Sequence, residues 1–139
     1  MINRSLLALI VASFILLSWN GIGADMPQSR APSETEQVKF AVKFGSGDLN
    51  PKHFLHPPFF AYILFALYGF TFLIGNAAGI FHSVADYQKL YFTDPSLFYL
   101  IARYVVLVLS GLAMVIFYSI SKKLFNKKTA LIATLLVAC

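Results

Sequence analysis

Apolar residues in this chain come in long runs, separated by shorter polar stretches. Residues 5–19 form the first run, behind the positive start Met1-Ile2-Asn3-Arg4 and closed by Trp19. This pattern predicts an uncleaved first helix with its N-terminus inside and Trp19 at the outer interface. A cleaved signal peptide is the alternative, but a cut after Ala24 would put Ile22 where a small residue is preferred. Residues 57–81 form the second run, dense in aromatics (Phe59, Phe60, Tyr62, Phe65, Tyr68, Phe70, Phe72). Pro57 and Pro58 suit its start, and Gly75, Asn76 and Gly79 predict an end or a bend at its far side. Residues 97–120 predict a spanning helix that carries Arg103 near its start and Gly111 midway. The last run, 129–139, has eleven residues. A helix needs about 20 to cross a bilayer, so this run is expected to be a truncated helix and the chain the N-terminal part of a longer protein.

Between the first two runs lies a polar loop, 20–56. It carries Asp25, Glu34, Glu36, Asp48, three lysines, an arginine, His53 and His56. Residues 24–36 hold two prolines and mixed charge, and are expected to be irregular. Residues 35–44 predict a short helix. Val38, Ala41 and Val42 share one face and Lys39 and Lys43 another, which suits a helix lying on the membrane surface. Gly45 and Gly47 should break it. A second polar loop, 82–96, holds Asp86, Lys89 and Asp94-Pro95, and a third, 121–129, holds four lysines.

Composition fits this pattern. The chain is 58% hydrophobic and 12% charged, against about 45–50% and about 25% for soluble domains. An all-α, polytopic membrane fold is therefore expected, as one transmembrane domain whose long outer loop carries short juxtamembrane helices. The net charge of +5 does not indicate a nucleic-acid binder, because the basic residues are scattered or flank apolar runs. Cys139 is the single cysteine, so no disulfide framework or zinc pattern can form within the chain.

Topology contains a conflict. Four lysines in a short loop should face the cytoplasm. With the N-terminus also inside, an even number of crossings must separate the two. Hydropathy makes 57–81 a span; the charge rule makes it an interfacial or re-entrant segment. The charge rule is preferred here, with the spanning alternative kept open.

Several stretches together resemble a known family. These are Pro32-Ser33-Glu34, then Ala41-Val42-Lys43-Phe44-Gly45-Ser46-Gly47-Asp48-Leu49-Asn50-Pro51, then His56-Pro57-Pro58. They are similar to the first outer loop of the polyprenyl-phosphate-sugar-dependent glycosyltransferases of GT-C type, related to protein O-mannosyltransferases and aminoarabinose transferases. Asp94-Pro95, Arg103, Tyr118, Lys123-Leu124-Phe125, Ala130 and Ala133 are similar to the family's next helices. The resemblance covers nearly the whole chain. The Gly-Ser-Gly-Asp-Leu-Asn-Pro run is its specific part; the hydrophobic parts are not specific. One departure matters: the family's Asp-Glu pair falls on Ser33-Glu34, so Ser33 stands where the catalytic Asp is expected. Either Glu34 has taken over, or Asp25 or Glu36 folds into place, or activity or acceptor is altered.

The resemblance implies transfer of a sugar from a polyprenyl-phosphate donor to a hydroxyl on a protein, lipid or glycan, at the outer or lumenal face. Such transfer needs a carboxylate to take the acceptor proton, for which Glu34 is the candidate. It also needs positive charge or a metal at the departing phosphate. Asp48, Lys52, His56 and Arg103 are the candidate substrate contacts. Each has a plainer reading: Asp48 as a turn residue, Lys52 as a snorkelling lysine, Arg103 likewise, and His53 and His56 as loop histidines without a third ligand. No cofactor is assigned, with Mg or Mn as an option. Membrane lipid is the expected surrounding and a prokaryotic plasma membrane the expected location. Two rival classes stand beside the enzyme. A non-enzymatic membrane scaffold is favoured by Ser33. A transporter would be compatible with Gly75-Asn76 and Arg103. An incomplete chain of this family is expected to be inactive alone.

Overall fold

The computed structural model describes residues 2–27, 31–50 and 57–138. The chain is all-α over these residues, with α1 (Ile2–Gly21), α2 (Pro32–Phe44), α3 (Phe59–Ala77), α4 (Val84–Thr93), α5 (Ser96–Leu124) and α6 (Lys127–Ala138). Two of these helices, Phe59–Ala77 and Ser96–Leu124, are long and apolar enough to cross a membrane. The chain divides into two compact units, residues 24–102 and residues 1–23 with 103–139.

In the unit 24–102, α2 packs on α3. The expected helix over 35–44 is present but begins three residues earlier. Pro32 opens it, because a proline in the first turn loses no helical hydrogen bond. Val38, Ala41 and Phe44 are buried while Lys39 and Lys43 stay exposed. On α3, Ala61, Leu64, Tyr68 and Gly75 are buried along one face. The α3 terminus forms as Gly75, Asn76 and Gly79 foretell. Gly79 takes φ 73°, the Gly79 N–H bonds the Asn76 carbonyl at 3.0 Å and the Ile80 N–H bonds the Gly75 carbonyl at 2.8 Å. That pairing satisfies the last helical carbonyls. The helix is continuous to Ala77, so the glycines end it rather than break it midway.

The stretch 82–96, expected to be a loop, instead contains α4. Ser83 caps it, accepting the Asp86 N–H at 3.1 Å. Two bonds from Ser96, one from its N–H at 3.1 Å and one from its hydroxyl at 2.6 Å, converge on Asp94 Oδ1 at the start of α5. They hold the exposed Asp94 carboxyl below its ordinary range. An aromatic cluster joins the elements: Tyr68 and Phe98 meet edge-on at 5.0 Å, and Tyr87 sits 5.1 Å from Phe98 and 4.9 Å from Phe81. The Tyr68 hydroxyl donates to the Phe98 carbonyl at 3.0 Å.

In the other unit, α5 presents a regular seam. Leu107, Gly111, Met114, Tyr118 and Ser121 are buried at alternating steps of four and three residues, the period of a packed helical seam. Gly111 faces Val11 and Ile15 of α1, and α1 also packs on α6. On α6 the buried residues are Ala130 and Thr134. α5 runs four residues past the expected 97–120, to Leu124. Lysines favour a helix C-terminus, so Lys122 and Lys123 extend it rather than end it. Asn126 then caps α6, accepting the Thr129 N–H at 2.9 Å.

Candidate functional site

The Gly-Ser-Gly-Asp-Leu-Asn run is a closed turn set against α3. The amides of Gly45, Ser46 and Gly47 bond the carbonyls of Val42, Lys43 and Phe44 at 2.9–3.0 Å, winding down α2. Gly47 then takes φ 90°, a conformation that favours glycine. Asp48 Oδ1 accepts the Asn50 N–H at 3.1 Å, an Asx turn. The Tyr62 hydroxyl donates to the Leu49 carbonyl at 2.9 Å, and its ring stacks on Phe44 at 4.9 Å. The sequence feature that looked most specific therefore docks the end of α2 onto the first turn of α3.

Glu34 lies in the first turn of α2, half-buried. A carboxylate is favoured there by the unpaired amides and the positive end of the helix dipole. It lies close enough to act electrostatically on the Tyr68 hydroxyl. Asp25 and Glu36 are exposed, and Asp25 has φ 61°. Asp25, Glu34, Glu36 and Asp48 each have a polar or electrostatic partner, so none is a free carboxylate.

Glu34 and Asp48 are not brought together. They stand at opposite ends of α2, with about 15 Å of helix from residue 34 to residue 44. Lys52, His53 and His56 lie outside the described residues. Arg103 belongs to the other compact unit. It is half-buried, and its Nη1 donates to the Ile22 carbonyl at 2.8 Å, just past the end of α1. A cation there also complements the negative end of the α1 dipole. Among the described residues no group of three His, Cys, Asp or Glu could hold a metal ion.

A feature the sequence reading missed is a half-open apolar cleft of about 120 Å³ in the unit 24–102, lined by Ala41, Phe65, Gly69, Tyr87, Tyr91 and Phe98 among others. The Tyr87 hydroxyl is buried and has no hydrogen-bond partner of good geometry. Burial pushes the Tyr87 phenol up to about 12, with the nearby Thr71 hydroxyl holding it back in part. Thr71 itself donates to the Leu67 carbonyl at 2.8 Å. Burial raises Tyr91 as well. The helical spacing Val84, Tyr87, Tyr91 behind a Ser83–Asp86 cap was the available signal for this wall.

No family model, curated protein or solved structure matches this chain.

Proposed function

We propose that this chain belongs to an integral-membrane glycosyltransferase of GT-C type, which takes sugar from a polyprenyl-phosphate donor. The observation that carries the reading is the placement of Glu34. It is a half-buried carboxylate at the N-terminal turn of an amphipathic helix packed on a helix long enough to cross a membrane. A proton acceptor at that position is held by a rigid element beside the lipid, where a lipid-linked donor would present its sugar.

The membrane setting is supported by the exposed face of α5. Leu112 and Ile116 are 56% and 59% exposed, while Gly111 and Ser121 are buried in a seam with Leu107, Met114 and Tyr118. Large apolar residues outside, with small and polar residues admitted to the seam, suit a lipid solvent. Residues 104–121 contain no charged side chain and, at 18 residues, rise about 27 Å, close to the hydrocarbon thickness of a bilayer.

A second reading, a membrane scaffold without catalysis, is favoured by three observations. Ser33 replaces the family's Asp, Asp48 serves an Asx turn, and Arg103 serves the end of α1. Sugar transfer from undecaprenyl-phosphate mannose and undecaprenyl-phosphate glucose, measured in host membranes with and without the native gene, tests the enzyme. Transfer that depends on the gene supports it; identical transfer from both donors supports the scaffold.

A further inference from the structure

The compact unit formed by residues 1–23 and 103–139 carries six cations, Arg4, Arg103, Lys122, Lys123, Lys127 and Lys128, and not one Asp or Glu. Its lysines have no carboxylate of their own unit to pair with. All four gather at one corner, where α5 ends at Leu124 and α6 starts at Lys127. The connection is short, with only Phe125 and Asn126 between the two helices, and local bonds close each helix end. The Phe125 N–H bonds the Ser121 carbonyl at 2.9 Å, the Ala130 N–H bonds the Asn126 carbonyl at 3.0 Å, and Asn126 caps α6. The four lysines are exposed, and so are Leu124 and Phe125 between them, at 71% and 67%.

Two physical facts make this corner more than a solvated charge run. Lys122 and Lys123 suit the C-terminus of α5, but Lys127 and Lys128 stand in the first turn of α6, where the helix dipole disfavours cations. An anion placed between the two pairs would relieve that mismatch. The corner also stands at a fixed depth. From Arg103 to Lys122 the uncharged helix rises about 28 Å, so a bilayer crossed by α5 puts the lysines at headgroup level. Leu124 and Phe125 then reach toward the acyl boundary while the ammonium groups stay with the phosphates.

We propose that the α5–α6 corner binds the headgroups of anionic membrane phospholipids, with Lys122, Lys123, Lys127 and Lys128 contacting phosphate and Leu124 and Phe125 seated in the interface. This inference rests on the membrane reading of the chain, but not on any catalytic activity.

The test is native mass spectrometry of the full chain in detergent micelles offered equal amounts of phosphatidylglycerol and phosphatidylcholine. Micelles remove any effect of the lysines on membrane orientation. Retention of phosphatidylglycerol over phosphatidylcholine is expected for the wild type. It should fall by up to about five-fold per lysine when the four are changed to Gln, and less in high salt. The quadruple Lys→Arg variant should keep the preference, and 10 mM inorganic phosphate should not displace the lipid. Equal retention of the two lipids by the wild type, an unchanged preference in the Gln variant, or displacement by inorganic phosphate would each overturn the proposal. Carbonate extraction of the chain from native membranes separates the two levels. Release from the membrane would overturn the membrane reading and this inference with it. Retention without lipid preference would overturn this inference alone.

Discussion

Gly75→Ala offers a prediction whose sign depends on one neighbouring ring. Gly75 is buried in the last turn of α3, and a Cβ there would run into the Phe81 ring. That ring cannot simply swing aside. The Phe81 N–H bonds the Gly75 carbonyl at 3.2 Å, its carbonyl accepts from Asn76 Nδ2 at 2.8 Å, and its ring meets Tyr87 edge-on at 4.9 Å. Overpacking of this kind costs about 1–3 kcal/mol. Alanine in place of glycine in a helix returns about 0.5–1 kcal/mol. The net expectation is a loss of up to about 2.5 kcal/mol in the wild-type background. With Phe81→Ala the obstruction is gone and only the helix gain is left, so Gly75→Ala should then stabilise by about 0.5–1 kcal/mol. Reversible denaturant unfolding in detergent, followed by helical circular dichroism, gives all four corners of the cycle. A Gly75→Ala effect of the same sign and size in both backgrounds would refute the reasoning, because Phe81 would then not be the obstacle.

Tyr87→Phe removes a buried hydroxyl without a good partner, so it should be neutral or stabilising by up to about 1 kcal/mol in the same unfolding assay. Because the folded Tyr87 phenol is raised to about 12 from an ordinary 10, its contribution is complete below pH 10 and lost as pH rises toward 12, and Tyr87→Phe should flatten that alkaline loss. Ser83→Ala deletes the α4 cap and should cost about 1 kcal/mol, seen as faster amide exchange across 84–93. Arg103→Gln weakens the tie to the Ile22 carbonyl and should cost about 1–3 kcal/mol of stability. Lost sugar transfer at unchanged stability would instead mark Arg103 as a substrate contact.

How much of this was legible in the sequence differs by element. The α3 end could be read because Gly75, Asn76 and Gly79 supply the chemistry that the helix terminus uses. The break after Phe44 was equally plain, since Gly47 adopts a conformation that favours glycine. The helix α4 was hidden by its polar residues. Its signal is the short Ser83–Asp86 cap followed by aromatics, of which Tyr87 owes its value to contacts outside the helix, with Phe72, Phe81 and Phe98. The extension of α5 through Lys122 and Lys123 is hidden because lysines occur in loops as readily as at a helix C-terminus, which their charge suits. The candidate site was legible residue by residue but not in its arrangement. The loop run looked like one cluster, yet the length of α2 puts Glu34 and Asp48 at opposite ends. The turn role weighed for Asp48 appears in its bond from the Asn50 N–H.

The central claim is that Glu34 accepts a proton during sugar transfer. It is tested most directly by comparing wild type, Glu34→Gln and Ser33→Asp in the native gene, with labelled undecaprenyl-phosphate mannose and undecaprenyl-phosphate glucose added to host membranes. The account predicts that Glu34→Gln lowers transfer by about 10²–10⁴-fold at unchanged protein level, while Ser33→Asp preserves or raises it. Transfer by Glu34→Gln equal to wild type would contradict the account.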